Sequence, residues 1–138
     1  MIIQLIQLMI VPVLISAVAS FVVGYLWYGP LFGRVWVRLA GITQPTEGMP
    51  MPTGMAWRMI AHLVLNICTT ATLFLLVVIP GSVVSTYVLT LIAWIGFMLP
   101  QHISELLWKG KSFKLIAFEN AATLVTLAIA INILYFVR

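Results

Sequence analysis

Two long stretches of the chain carry no charged residue, 1–33 and 59–104. The second is 46 residues long. Wound as one α-helix at ~1.5 Å per residue it would run roughly 69 Å, more than twice the ~30 Å hydrocarbon core of a bilayer. It must therefore double back, and Pro80-Gly81-Ser82 supplies the turn residues. Charges and helix breakers divide the rest in the same way. The pattern predicts an all-α polytopic membrane protein with four transmembrane helices, at about 6–28, 56–79, 83–107 and 113–136, in one bundle domain spanning 1–138.

Composition supports this reading. The chain is 63% hydrophobic and 7% charged, against about 25% charged residues in ordinary soluble domains. The net charge of +4 could suggest nucleic acid, but the basic residues sit at helix ends, where membrane topology places them. The expected partner is the lipid bilayer, and no nucleic acid. Cys68 is alone in an apolar run, which excludes a disulfide framework and a CxxC metal pattern. No cofactor motif is present. The small-residue stretch Ala17–Ser20 resembles a signal-peptidase site, but no Lys or Arg precedes the apolar run, which continues to Tyr28. An uncleaved membrane helix is expected.

The basic residues also predict an orientation. Arg34, Arg38 and Arg58 flank the first loop, Lys109, Lys111 and Lys114 the third, and only Arg138 lies beyond the last helix. The positive-inside rule puts loops 29–55 and 108–112 in the cytoplasm and both termini outside.

Small residues recur every fourth position on two helices: Ser16, Ser20 and Gly24 on the first, Ala122, Thr126 and Ala130 on the last. Such ridges let helix backbones approach closely in lipid, either within one chain or between copies in a homo-oligomer or larger membrane complex. A weak internal repeat is also visible. "VVGYL" (22–26) matches "WIGFM" (94–98), and "RMIA" (58–61) matches "KLIA" (114–117). A duplication would give two helix hairpins in parallel orientation, a 2+2 repeat. Every helix–loop–helix border of a membrane protein reuses these residue types, so the similarity has that explanation too.

The stretch "GYLWYGPLFGRVW", Gly24–Trp36, follows the first apolar run directly. Trp27 and Tyr28 fall where the helix meets the headgroups, the depth their rings prefer. Gly29-Pro30 breaks the helix, Pro30 suits the first position of a new one, and Gly41 suits its end. In between, Arg34 and Arg38 share one face while Phe32, Trp36 and Leu39 share another. This describes a short interfacial helix at about 30–40, with Trp27, Tyr28, Arg34, Trp36 and Arg38 as interfacial or lipid-headgroup residues.

The same stretch resembles the signature of the membrane family known as domain of unknown function 1761. The pattern is carried here by Gly24, Leu26, Trp27, Tyr28, Pro30, Phe32, Gly33 and Trp36, with a looser likeness through Gly96, Pro100 and Gly110. The resemblance implies a small protein of four membrane helices, in a bacterial inner membrane. It supplies no function. His102 and Glu105 depart from the apolar residues the resemblance leads one to expect there.

Intramembrane polar residues are where function is sought first. His62, Asn66, Thr69 and Thr70 form one stripe on the second helix; Gln101, His102 and Glu105 lie near the end of the third; Glu119, Asn120 and Thr123 lie near the start of the fourth. All are expected in the cytoplasmic half. A structural reading pairs Glu105 with Lys109 one turn on and Glu119 with Lys111 or Lys114, and gives a structural or accessory membrane component. A second makes His62, His102, Glu105 and Glu119 a path for protons or a small solute, in a transporter or channel. A third makes these two His and two Glu a metal site, since His102 and Glu105 have an i, i+3 spacing. Met49, Met51 and Met55 suggest Cu(I) in the same weaker sense. A hydrolase needs an activated nucleophile beside a base, and Ser104 near His102 is too generic, so no enzyme is expected.

Overall fold

The computed structural model describes residues 2–42, 54–78 and 82–137. Among these, the helices are α1 (Ile2–Leu26), α2 (Gly33–Ala40), α3 (Met55–Val78), α4 (Val83–Ala93), α5 (Leu99–Lys109) and α6 (Phe113–Val137). Wider π-type turns continue α1 through Trp27–Leu31 and join α4 to α5 through Trp94–Met98. Four stretches are long and apolar enough to cross a membrane: Leu8–Leu31, Met55–Leu76, Val83–Lys109 and Phe113–Val137. The expected all-α polytopic fold and its short extra helix are therefore present. Pro80 and Gly81 of the expected turn lie outside the described residues, as do Met49, Met51 and Arg138. Ser82 caps α4, accepting a hydrogen bond from the Ser85 N–H at 3.5 Å.

Both π-type turns accompany a proline. Pro100 has no N–H to give to the Gly96 carbonyl, and its ring crowds that carbonyl. The helix widens, and the Leu99 N–H returns five residues to the Trp94 carbonyl. Pro30 acts similarly. The Phe32 N–H reaches the Trp27 carbonyl at 3.1 Å, and the sharp change of direction falls at Gly29 (φ −107°, ψ −107°). The second helix thus begins at Gly33, three residues after the expected Pro30, because the chain stays wound through the proline before it turns. Gly33 is held by a close approach, since a Cβ there would lie 2.8 Å from the Tyr28 carbonyl oxygen. The end at Gly41 is as expected: it takes φ 67°, and the Ile42 N–H closes on the Val37 carbonyl at 3.1 Å.

Helix α1 sits at the centre and packs mainly on α3 and α6. The two small-residue ridges meet inside this one chain. Ser16, Ser20, Ala122 and Ala130 are all buried, and the Ser16 hydroxyl donates to the Ala130 carbonyl at 3.2 Å. On the other side of α1 the Thr70 hydroxyl lies 3.3 Å from the Val13 carbonyl and 2.9 Å from the Asn66 carbonyl. Hydrogen bonds of this kind contribute about 0.6 kcal/mol each in membranes, so close packing carries most of the association.

Packing is not uniform along the bundle. The buried core joins Val13 of α1, Leu73 and Phe74 of α3, and Ala130, Ile131 and Leu134 of α6. These residues all lie in the half of the membrane nearest the connection between α3 and α4. There α4 is fastened by the Thr86 hydroxyl, 3.1 Å from the Leu76 carbonyl. Further along, α4 and α5 make few contacts with α1 and α3, and space opens between the helices.

Candidate functional site

That space is a cavity of about 540 Å³ walled by all four spans. Ser20, Gly24 and Tyr28 line it from α1 and its π-type turn; His62, Asn66 and Thr69 from α3; Thr90, Trp94 and Phe97 from the third span; Thr123 and Thr126 from α6. The polar stripe of α3 divides. Thr70 turns to α1, while His62, Asn66 and Thr69 face the cavity. Asn66 and Thr69 donate to their own helix, at the His62 and Leu65 carbonyls, both at 3.0 Å. His62 leans on the Phe21 ring with centroids 5.9 Å apart. It also crosses α1 at Gly24, where a Cβ would lie 3.9 Å from its Nε2.

A second polar group lies at the end of α5, across the short loop 110–112 to α6. The Lys109 ammonium is 2.8 Å from Glu105; the Lys111 ammonium is 2.9 Å from Glu105 and 3.1 Å from Glu119. His102, Glu105 and Glu119 offer ligand atoms within 4.8 Å of one another, and His102 Nδ1 is buried without a hydrogen-bond partner. The expected i, i+4 pair Glu105–Lys109 and the reach of Glu119 to Lys111 are both present. Hydrogen bonding to Glu105, then to Glu119, raises the Lys111 ammonium above its ordinary range. Two carboxylates face two ammonium groups, so the cluster is neutral, and a metal ion at His102 would have to displace Lys111. This arrangement clamps α5 to α6.

The remaining expected residues lie elsewhere. Asn120 is buried and donates to the Ile116 carbonyl at 2.7 Å. Gln101 is exposed, as are Arg34 and Arg38. Trp27, Tyr28 and Trp36 are half-buried, and the motif's rings gather about Phe118 of α6. Trp27, Tyr28 and Phe32 stand 5.6, 6.0 and 6.2 Å from it by ring centroid, and Trp36 meets Tyr28 edge-on at 5.7 Å. Phe118 precedes Glu119 in α6, so this collar lies beside the ionic clamp, and Tyr28 belongs to both collar and cavity wall.

Sequence reasoning passed over Ser20, Thr90, Trp94 and Thr126 as site residues. Thr90 and Trp94, one turn apart in an otherwise apolar run, were the available signal. It also passed over Tyr87, whose hydroxyl bonds the Ala128 carbonyl at 3.2 Å and accepts from Asn132 Nδ2, joining α4 to α6.

The profile of the family described as protein of unknown function (DUF1761) matches residues 11–135. The chain belongs to that family, which covers all four spans. No curated protein and no solved structure matches it significantly.

Proposed function

Within that family, we propose that this chain is a small membrane protein that takes up a small solute between its helices, in the manner of a small transporter or channel. The observation that carries the reading is the cavity itself: all four spans contribute a wall, and each brings polar side chains to it. Burying polar groups in a bundle is costly unless they serve packing or a ligand. Next to the cavity, Val13, Phe74, Ile131 and Leu134 close the same bundle with apolar side chains. The ionic clamp supports a structural role for Glu105 and Glu119, because lysines already hold both carboxylates. An accessory role resting on self-association has less support, since the small-residue ridges are used between α1 and α6 of one chain. The charge pattern favours cytoplasmic loops at 29–55 and 108–112 and both termini outside, in a bacterial inner membrane.

Thiol reactivity tests this. In a Cys68→Ser background, Thr126→Cys places a thiol in the cavity wall, while Val125→Cys places one at the same depth on the exposed face. Maleimides react with the thiolate, which forms where water reaches. N-ethylmaleimide should modify Thr126→Cys at least about tenfold faster in reconstituted membranes. Equal, slow reaction at both positions would remove the cavity as a solute site.

A further inference from the structure

The chemistry of the cavity wall narrows what it holds; the inference rests on the solute-binding reading above. None of the side chains described as lining the cavity is Asp, Glu, Lys or Arg. The two carboxylates of this half, Glu105 and Glu119, are already held by Lys109 and Lys111 in the clamp. A charged ligand would meet no carboxylate, ammonium or guanidinium in the wall, and desolvating it would be costly.

Three polar atoms of the wall residues are buried and have no hydrogen-bond partner: Ser20 Oγ on α1, and Thr90 Oγ1 and Trp94 Nε1 on α4 and the turn that follows. Thr90 is a departure from its surroundings. The described threonines Thr69, Thr70, Thr72, Thr86, Thr123 and Thr126 all donate to the carbonyl four residues back. Thr90 does not, although its helix offers the same carbonyl. An unpaired buried polar group costs about 1–3 kcal/mol, and two of them one turn apart in the wall, at Thr90 and Trp94, point to an occupant that a side-chain turn would let them reach. Trp94 can only donate, so that occupant must present an acceptor.

The way in is also visible. Helix α3 meets α4 but makes no comparable contact with Trp94–Met98 or α5. On the two sides of this gap His62 and Thr69 are exposed, and so are Phe97 (75%) and Met98. The opening therefore faces sideways, into the bilayer, and the π-type turn at its edge is a common device at functional sites.

We propose that the cavity binds an uncharged, lipid-soluble molecule carrying a carbonyl-type oxygen. It enters from the bilayer between α3 and α5, and its oxygen is held by the Trp94 indole N–H with the Thr90 hydroxyl one turn before it, after a small turn of both side chains towards the cavity. A volume of about 540 Å³ is in the range of ordinary small-molecule sites.

Benzophenone tests this directly, being an uncharged, lipid-soluble ketone that inserts into nearby C–H bonds on irradiation. With the full chain in lipid nanodiscs, adducts mapped by mass spectrometry should saturate with concentration and fall between Thr90 and Met98. Trp94→Phe keeps a ring and removes the donor, and should raise the half-saturating concentration about tenfold. Thr90→Val replaces a hydroxyl by a methyl and should raise it severalfold, which keeps the test sound if the tryptophan variant unfolds. Diphenylmethane, which lacks the oxygen, should compete poorly. Adducts that rise linearly without saturating, or equal saturation in both variants, overturn the inference. Should a water-soluble benzophenone sulfonate saturate the same residues while benzophenone does not, the lipid-soluble class falls and the solute-binding reading stands. An unreactive Thr126→Cys together with no saturable adduct from either benzophenone removes that reading as well.

Discussion

Ser16 donates its hydroxyl to the Ala130 carbonyl across 3.2 Å, joining residues 114 apart in the chain. The bond is a consequence of closeness: α1 and α6 approach until a serine side chain on one reaches the backbone of the other. The two halves of that statement separate by mutation. Ser16→Ala removes only the hydrogen bond and should cost about 0.6 kcal/mol. Ser16→Leu or Ala130→Leu forces the helices apart and should cost about 1–3 kcal/mol or more. Unfolding in detergent, followed by circular dichroism, ranks them. A Ser16→Ala variant as damaged as Ser16→Leu would mean that the hydrogen bond and not proximity holds the pair.

Gly33 and Gly96 make a matched comparison. At Gly33 an added Cβ would come within 2.8 Å of the Tyr28 carbonyl oxygen, which is backbone and cannot step aside cheaply. Gly33→Ala should therefore destabilise the turn and loosen the Trp27–Tyr28–Phe118 collar. The melting temperature should fall and the near-ultraviolet circular dichroism of the aromatic rings should weaken. At Gly96 nothing lies within 4 Å of a built Cβ, so Gly96→Ala should be neutral, or more stable by up to about 1 kcal/mol through helix propensity. The reverse order would contradict the close approach at Gly33.

These cases show what the sequence exposes and what it hides. The spans were legible because charge is excluded from lipid, so gaps between charged residues mark their length. Glu105–Lys109 was legible because i, i+4 neighbours on a helix meet whatever surrounds them. The facing of the spans was not. In a soluble helix one apolar stripe marks the core, but α1 and α6 have no polar face set against an apolar one, and lipid is as apolar as a neighbouring helix. Only the small residues of the ridges betrayed a buried face. For the same reason Trp94 read as one more apolar ring, and Trp27 and Tyr28 read as headgroup anchors without any hint of Phe118. The slack packing of α4 depends on a three-body fit that no periodicity records.

Lys111 holds two carboxylates, so its removal should be uneven in effect. Lys111→Met leaves Glu105 with Lys109 and leaves Glu119 without its ion pair. A loss of about 1–2 kcal/mol is expected, between that of an exposed and a buried pair. Adding Glu119→Gln should recover much of it, because the stranded charge is then gone. The pH dependence has a definite sign. The Lys111 pKa is raised in the fold, chiefly by its hydrogen bond to Glu105. Its stabilisation is therefore complete below lysine's ordinary value of 10.5 and is lost as pH rises through the higher folded value. Thermal scans should show this group contributing no change between pH 7 and 9, and a decline above about pH 10.5 that is absent from Lys111→Met. A Lys111→Met variant that declines equally would place the alkaline transition on other groups.

Orientation rests on the distribution of Lys and Arg, and it can be tested at two positions. Ser82 begins α4 at the uncharged end of the bundle. Trp108, 86% exposed, stands beside Lys109 at the charged end. Electrostatics favours keeping the lysine- and arginine-rich loops in the cytoplasm, so these two residues should lie on opposite sides. In a Cys68→Ser background, Ser82→Cys should react with a membrane-impermeant maleimide added to intact spheroplasts. Trp108→Cys should react only after the membrane is opened. Losing the Ser82 cap costs about 0.5–2 kcal/mol, which a span of this length tolerates, so absent labelling at Ser82→Cys would report sidedness and not unfolding. If Trp108→Cys labels from outside and Ser82→Cys does not, both termini face the cytoplasm. Phe118 and the ionic clamp would then lie at the outer end of the bundle instead of the inner one.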